Sequence, residues 1–212
     1  MTPAKEVGGD FYDFYMLDDD HFAMVVGDVS GKGVPAALFM VITKTLLKDT
    51  AEHEYNPAKV FEHVNKILCE GNESGLFVTC WMGILTISTG ELNFANAGHN
   101  APIIKTNGEI KYLSTKPNLM LAAMDGIPYT NHTLTMEKGD RLFIYTDGIT
   151  EATNDYDELY GEERLLNVLK TVQDKGKTPR DILDIVRNDL NDFVLEAPQF
   201  DDITMLSMVF KQ

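Results

Sequence analysis

Short apolar segments separated by tight turns recur along this chain, and they constrain its fold more than any other sequence feature. Strand-like runs occupy residues 11–17, 21–29, 77–87, 91–97, 101–105, 110–113, 141–146 and 203–210. Several of the turns between them are very short, and the Asn107-Gly108 pair is a strong β-hairpin signal. Because tight hairpins join antiparallel neighbours, the sequence predicts antiparallel sheets.

Two pairs of helices interrupt the strands. Residues 36–47 follow Pro35 and are apolar on nearly every side, which predicts a buried helix. A second helix is predicted from Asn56-Pro57, and two more at about 158–172 and 179–195. Helices segregated from strands indicate an α+β protein. No repeat or linker divides the 212 residues, so we expect a single domain over 1–212.

Composition excludes several classes of function. The chain carries 33 acidic and 18 basic residues, for a net charge of −15, without a basic cluster, so we expect no nucleic-acid partner. No run approaches the ~20 apolar residues of a membrane span. We therefore expect no membrane contact by this domain and a cytoplasmic location. Cys69 and Cys80 lie in apolar patterns without metal-site spacing, which predicts buried free thiols.

Common catalytic motifs do not match. A nucleotide-binding P-loop around Lys32 would need glycine at position 26 and serine or threonine at 33, where Val26 and Gly33 stand. Ser30 lacks the Gly-x-Ser-x-Gly frame of a hydrolase nucleophile. The five histidines show no zinc-ligand spacing.

Aspartates recur next to the ends of the strongest strands. They are Asp10, Asp28, Asp147, Asp201 and Asp202. For any one of them alone, a turn residue is the better explanation. Their recurrence predicts that several carboxylates gather at one sheet edge, where they repel each other unless a cation is bound. Oxygen ligands suit Mg²⁺, Mn²⁺ or Ca²⁺ better than zinc, and a two-metal site can activate water and hold a phosphoryl group.

Five segments, in order along the chain, resemble the PP2C-type phosphatases of the bacterial SpoIIE/RsbU branch. They are Glu6–Asp13 (EVGGDFYD), Gly27–Gly33 (GDVSGKG), Ala97–Pro102 (AGHNAP), Tyr145–Glu151 (YTDGITE) and Asp201–Thr204 (DDIT). The resemblance implies a four-layer α-β-β-α sandwich, in which two antiparallel sheets are flanked by helix pairs. It also implies a phosphoserine/phosphothreonine protein phosphatase that uses two Mn²⁺ or Mg²⁺ ions per site and forms no phosphoenzyme.

The resemblance assigns roles to the aspartates. Asp28 is expected to bridge the two metals, with the backbone carbonyl of Val29 completing one coordination sphere. Asp10 is expected to serve one metal, and Asp147 and Asp201 the other. The resemblance implies that a hydroxide held between the two metals attacks phosphorus in line, so Asp28, Asp147 and Asp201 form the expected catalytic set.

Other site residues stay open. Asp202 is the less certain ligand of the Asp201-Asp202 pair. Lys32 is either a phosphate contact or a solvated turn lysine, and His99 is either a proton donor or the cap of a turn. Glu151 is expected beside the site rather than as a ligand. Asp10 lies near the start of the chain, so the metal that it serves is expected to be the more loosely held.

The resemblance also implies partners. The expected substrate is a phosphorylated STAS-domain regulator of the anti-anti-sigma type, and the chain looks like the excised C-terminal domain of a longer protein with an upstream sensor domain. Activation is expected to involve the helix pair at 34–71, and whether that pair forms a homodimer contact stays open. The rival functions are a catalytically weak phosphoprotein-binding relative, a hydrolase of small phosphate compounds and a structural calcium module.

Overall fold

The computed structural model describes residues 1–116, 118–172 and 176–211, and their strands form two antiparallel sheets. The strands are β1 (Phe11–Met16), β2 (His21–Val29), β3 (Val78–Thr86), β4 (Glu91–Ala97), β5 (Ile103–Thr106), β6 (Glu109–Tyr112), β7 (His132–Thr135), β8 (Arg141–Tyr145) and β9 (Met205–Val209). The helices are α1 (Val34–Ala51), α2 (Pro57–Cys69), α3 (Gly161–Thr171) and α4 (Pro179–Val194). One sheet has the order β1-β2-β3-β4-β7 and the other β6-β5-β8-β9. The predicted antiparallel arrangement is therefore confirmed.

Successive side chains of a strand point to opposite faces of its sheet, and they form three packed layers. Val25 of β2 faces α1 and α2, whereas Met24 and Val26 face the second sheet. Trp81 of β3 is fully buried between the two sheets, against a cluster that includes Leu142 of β8. The helices α3 and α4 pack on the outer face of the second sheet. The predicted four-layer α-β-β-α sandwich is confirmed.

Local signals explain where several elements begin and turn. The Asn56 side chain accepts hydrogen bonds from the backbone amides of Ala58 and Lys59 at the start of α2. A reciprocal capping box between Thr178 and Asp181 starts α4. Asn107 and Gly108 both have positive φ, as a two-residue hairpin turn between β5 and β6 requires. Strand β7 was not predicted, because its four residues alternate between half-buried and exposed without a strong apolar signal.

The prediction that α1 is a buried helix is wrong. The helix buries Ala36, Thr43, Leu47 and Ala51 along one side. On its outward side Val34, Leu38, Val41 and Ile42 are more than half exposed. The helix belongs to an outer layer and packs against β1, β2 and α2, so only one side can be covered by these elements.

Two further features are the state of the cysteines and the character of the helices. Both cysteines are free thiols, with Cys80 buried and Cys69 half-buried. Among the described helices, none combines the length and the apolar character needed to cross a membrane.

Candidate metal and active site

Strand register brings Asp10 and Asp28 together. Strand β1 pairs with β2 so that Phe11 lies opposite Gly27. Asp10 directly precedes Phe11 and Asp28 directly follows Gly27, so the two carboxyl groups meet at the same end of the hairpin. In the second sheet Tyr145 lies opposite Met205, which places Asp147 beside the segment that contains Asp201.

A buried hydrogen bond connects the two sheets at this end of the sandwich. The Thr146 hydroxyl donates to Asp10 Oδ2 over 2.8 Å, and it also accepts from the Thr204 backbone amide at 3.0 Å. Asp10 is only 1% exposed. Its placement is therefore tied to β8 and β9, although it lies close to the start of the chain. Thr146 was not predicted as a site residue; its only signal was its position beside Asp147.

The glycines next to these aspartates provide room for close approach. A Cβ at Gly148 would overlap the backbone carbonyl oxygen of Asp202, and a Cβ at Gly9 would lie 2.7 Å from the Val29 carbonyl oxygen. Neither glycine has a positive φ. At these two positions glycine is needed because another backbone passes through the space that a side chain would occupy.

The pKa values of two of these carboxyl groups, Asp28 and Asp10, are raised in the metal-free chain. Burial, followed by the neighbouring carboxylates of Asp10, Asp147 and Asp201, raises the pKa of Asp28 to about 8. Burial also raises the pKa of Asp10 to about 7, opposed by the nearby Thr204 and Thr146 hydroxyls. Of these two hydroxyls, that of Thr146 forms a hydrogen bond with Asp10. The Thr204 hydroxyl has no partner within hydrogen-bonding geometry.

Asp147 belongs to the same electrostatic cluster. Burial raises its pKa, and the carboxylates of Glu151 and Asp201 act in the same direction. Because Asp28 is influenced by Asp10, Asp147 and Asp201 together, the structure brings these four predicted residues to one place. We refer to these four residues as the aspartate cluster.

The two adjacent aspartates before β9 have different surroundings. Asp202 is buried, and its carboxylate accepts hydrogen bonds from the backbone amides of Ala4 at 2.8 Å and Asp10 at 3.3 Å. Asp201 is half-buried and faces Lys32, whose Nζ lies 3.2 Å from Asp201 Oδ2. Asp202 therefore anchors the segment that carries Asp10, which leaves Asp201 as the better candidate ligand of the pair.

The aspartate cluster fits a hard divalent cation. Unpaired carboxylates that raise each other's pKa are stabilised by a bound cation. In residues 1–116, 118–172 and 176–211, no three His, Cys, Asp or Glu side chains are grouped closely enough to enclose a metal alone. Mg²⁺ keeps several waters and commonly takes only one or two carboxylates from the protein, so it does not require three grouped acidic side chains. Asp10, Asp28, Asp147 and Asp201 are the side chains that could hold such ions.

Lys32 is exposed to solvent and lies beside the aspartate cluster. Its ammonium group donates to the Phe200 carbonyl oxygen at 2.6 Å and pairs with Asp201. Its positive charge also opposes the rise in the pKa of Asp147. Lys32 is thus the cation beside the aspartate cluster, where an incoming phosphate would add negative charge.

His99 and Glu151 lie near the cluster in different ways. The His99 ring is buried, its Nδ1 lies 3.0 Å from the Thr79 hydroxyl, and burial lowers its pKa to about 4. Its backbone amide and carbonyl both bond the Asn96 side chain, so His99 lies in a turn that the Asn96 side chain caps. Glu151 is exposed and acts on Asp147 through its charge.

Comparison with known proteins places the chain in a family. Residues 18–211 match the model of the family described as "Stage II sporulation protein E (SpoIIE)". The chain belongs to the SpoIIE family. The matched residues include three members of the aspartate cluster, with Asp10 lying just before them.

Individual relatives agree with this assignment. The chain is 33% identical to Protein IcfG of Synechocystis sp., with 98% of this chain and 37% of that protein covered. It is 26% identical to the phosphoserine phosphatase RsbU of Bacillus subtilis, with 71% of this chain and 45% of that protein covered. The chain thus spans less than half the length of these two curated relatives.

A solved structure shows the same fold. The SiaA-PP2C domain of Pseudomonas aeruginosa superposes with a TM-score of 0.86 over 99% of this chain and 84% of that one, at 23% identity. The predicted PP2C-type architecture is confirmed by this match.

Proposed function

We propose that this chain is a metal-dependent phosphatase that removes phosphate from serine or threonine in a protein substrate. The observation that carries the proposal is the aspartate cluster, in which strand ends of both sheets bring four interacting carboxyl groups to one edge of the sandwich. Membership of the SpoIIE family and the likeness to RsbU support the same activity.

The residues of the cluster have distinct proposed roles. Bound Mn²⁺ or Mg²⁺ would supply Lewis-acid activation of water and neutralise charge on the phosphoryl group. Asp28 is influenced by each of the other three carboxyls, and with the Val29 carbonyl it would contribute to holding both ions, as the family resemblance implies. Asp147 and Asp201 would hold one ion, and Asp10 would serve the other. Asp202 contributes by fixing the Asp10 backbone.

Residues of this chain also release protons and supply positive charge in the proposed reaction. Asp28 and Asp10 have raised pKa values, so they must release protons before their carboxylates can act as ligands. Lys32 supplies a positive charge that can attract the phosphate group of the substrate. His99 is buried and neutral, and its turn-capping contacts make it a structural residue in this proposal.

The substrate that we propose is a phosphorylated STAS-domain regulator of the anti-anti-sigma type. Support comes from the resemblance of the chain to the SpoIIE/RsbU branch and from the phosphoserine phosphatase RsbU among its relatives. An upstream sensor domain in the complete protein is part of the same proposal, since the chain matches less than half of each curated relative.

The deciding experiment measures phosphate release from a phosphorylated STAS-domain protein and from p-nitrophenyl phosphate, with Mn²⁺, with Mg²⁺ and with a chelator. We expect turnover only with metal. Replacing Asp28 or Asp147 by asparagine should lower kcat/KM by roughly 100-fold or more, the scale of one lost electrostatic contact in a reaction site. The exposed Asp155→Asn variant is the matched control and should behave as wild type. Turnover that persists without metal, or none on either substrate, would refute the proposal.

A further inference from the structure

A small pocket lies directly beside the aspartate cluster. It has a volume of about 90 Å³ and is formed by the end of α4, the segment at 148–153 and the segment at 197–203. Leu190, Val194 and Ile203 contribute apolar walls. Gly148 and Asp201 also line it, so the pocket and the aspartate cluster share one wall.

The rim of this pocket carries an exposed aromatic ring in a fixed position. Phe200 is 75% exposed, which is unusual for so large an apolar side chain. The Lys32 ammonium group lies 3.9 Å from the centre of its ring and also bonds its carbonyl oxygen. Lys32 also pairs with Asp201, so one lysine contacts both the Phe200 ring and a member of the aspartate cluster.

The backbone of the rim is braced as well. Gln199 donates two hydrogen bonds of 2.8 Å, to the carbonyl oxygens of Thr2 and Asp201. Thr2 in turn pairs with Ile203 through backbone hydrogen bonds in both directions. A preformed, braced rim lowers the entropic cost of binding a ligand group there.

Size and charge restrict what the pocket can hold. Its volume corresponds to roughly six water-sized positions, far below the ~300 Å³ or more of a typical small-molecule site. That space suits one aliphatic side chain. The carboxylates of Glu151 and Asp201 on its cluster side disfavour an acidic group.

We propose that this pocket binds an uncharged aliphatic side chain of the protein substrate, located within a few residues of the phosphorylated serine or threonine. The inference rests on the proposed phosphatase function and adds a sequence preference to it. The shared wall at Asp201 places a residue bound in the pocket next to a phosphoryl group bound at the aspartate cluster.

The test uses phosphoserine peptides in which each position from three before to three after phosphoserine is changed in turn to leucine, glycine, aspartate or lysine. We expect leucine to exceed glycine in kcat/KM by about tenfold or more at one position, the scale of burying a small apolar group in a fitted pocket. Aspartate at that position should be the poorest substrate.

Substitutions in the pocket test whether the preference for leucine arises there. Phe200→Ala removes the rim, and Ala197→Leu fills the pocket; both should reduce the leucine-to-glycine ratio to below about threefold. Tyr156→Ala is the matched control because Tyr156 is also an exposed aromatic, at 79%, but does not line the pocket. It should keep the wild-type ratio. Thermal melting verifies that each variant is folded.

Free O-phosphoserine, included as a substrate, distinguishes a wrong pocket proposal from a wrong phosphatase proposal. Suppose that O-phosphoserine and the peptides are turned over in a metal-dependent way. The pocket proposal alone would then be overturned by equal rates for all residues tested, by a preference for lysine or aspartate, or by a leucine preference that survives both pocket variants. Absence of metal-dependent turnover on all of these substrates would overturn the proposed function and the pocket proposal together.

Discussion

The protonation of a single residue, Asp28, makes the stability of the metal-free chain depend on pH. Its pKa, raised to about 8 mainly by burial, lies above the ordinary value of 3.8, so between about pH 4 and 8 the folded metal-free chain binds more protons than the unfolded chain. Its contribution to stability is therefore present at low pH and lost as pH rises through that window. We expect Asp28→Asn, with metal chelated, to lose less stability from pH 5 to 8.5 and to melt higher at pH 8. Thermal melting across this range measures the effect, and parallel curves for the two proteins would contradict it.

The contrast between Asp201 and Asp202 gives a second prediction. Asp202→Ala removes the acceptor for the Ala4 and Asp10 amides, so we expect it to lower the free energy of unfolding by about 1–3 kcal/mol. Asp201→Ala loses a partly exposed ion pair and should cost no more than about 1 kcal/mol. Urea denaturation with chelated metal measures both values. Equal costs for the two substitutions would argue against the separate roles.

The two sides of helix α1 differ in burial, so substitutions on them should differ in their effect on stability. Leu47 is fully buried, so Leu47→Ala should cost about 2–5 kcal/mol of unfolding free energy. Leu38 is largely exposed, and Leu38→Ala should change stability by no more than about 0.5 kcal/mol. The same change of residue in one helix makes the pair a matched comparison. A large cost at Leu38, measured by urea denaturation of the monomer, would show that the outward side is covered.

Charge acts at the scale of the whole molecule. A net charge of −15 opposes the compact state, and added salt screens this repulsion. A cation bound at the aspartate cluster acts differently, since it stabilises by about 2.7 kcal/mol at 100 times its dissociation constant. We expect MgCl₂ to raise the melting temperature well beyond NaCl of equal ionic strength in wild type, but not in Asp28→Asn. An equal response to the two salts in wild type would exclude specific binding.

Much of the fold and of the candidate site could be predicted from local sequence patterns. Short apolar runs and tight turns predicted the antiparallel strands, because both signals depend only on residues close together in the chain. The recurrence of aspartate next to the ends of strong strands identified Asp10, Asp28, Asp147 and Asp201, which the structure brings together. The resemblance of five segments to the SpoIIE/RsbU branch supplied the layer order.

The sequence alone determined the antiparallel strands, the helix starts and which carboxylates were candidates, because those signals come from residues close together in the chain. Only the tertiary structure decided how Asp202 differs from Asp201, because its amide partner in Ala4 lies 198 positions away. The contact of Thr146 with Asp10, 136 positions apart, and the close approach at Gly148 likewise depend on two sheets meeting. The exposure of α1 has the same origin, since an apolar helix pattern does not specify how many of its sides the rest of the molecule covers.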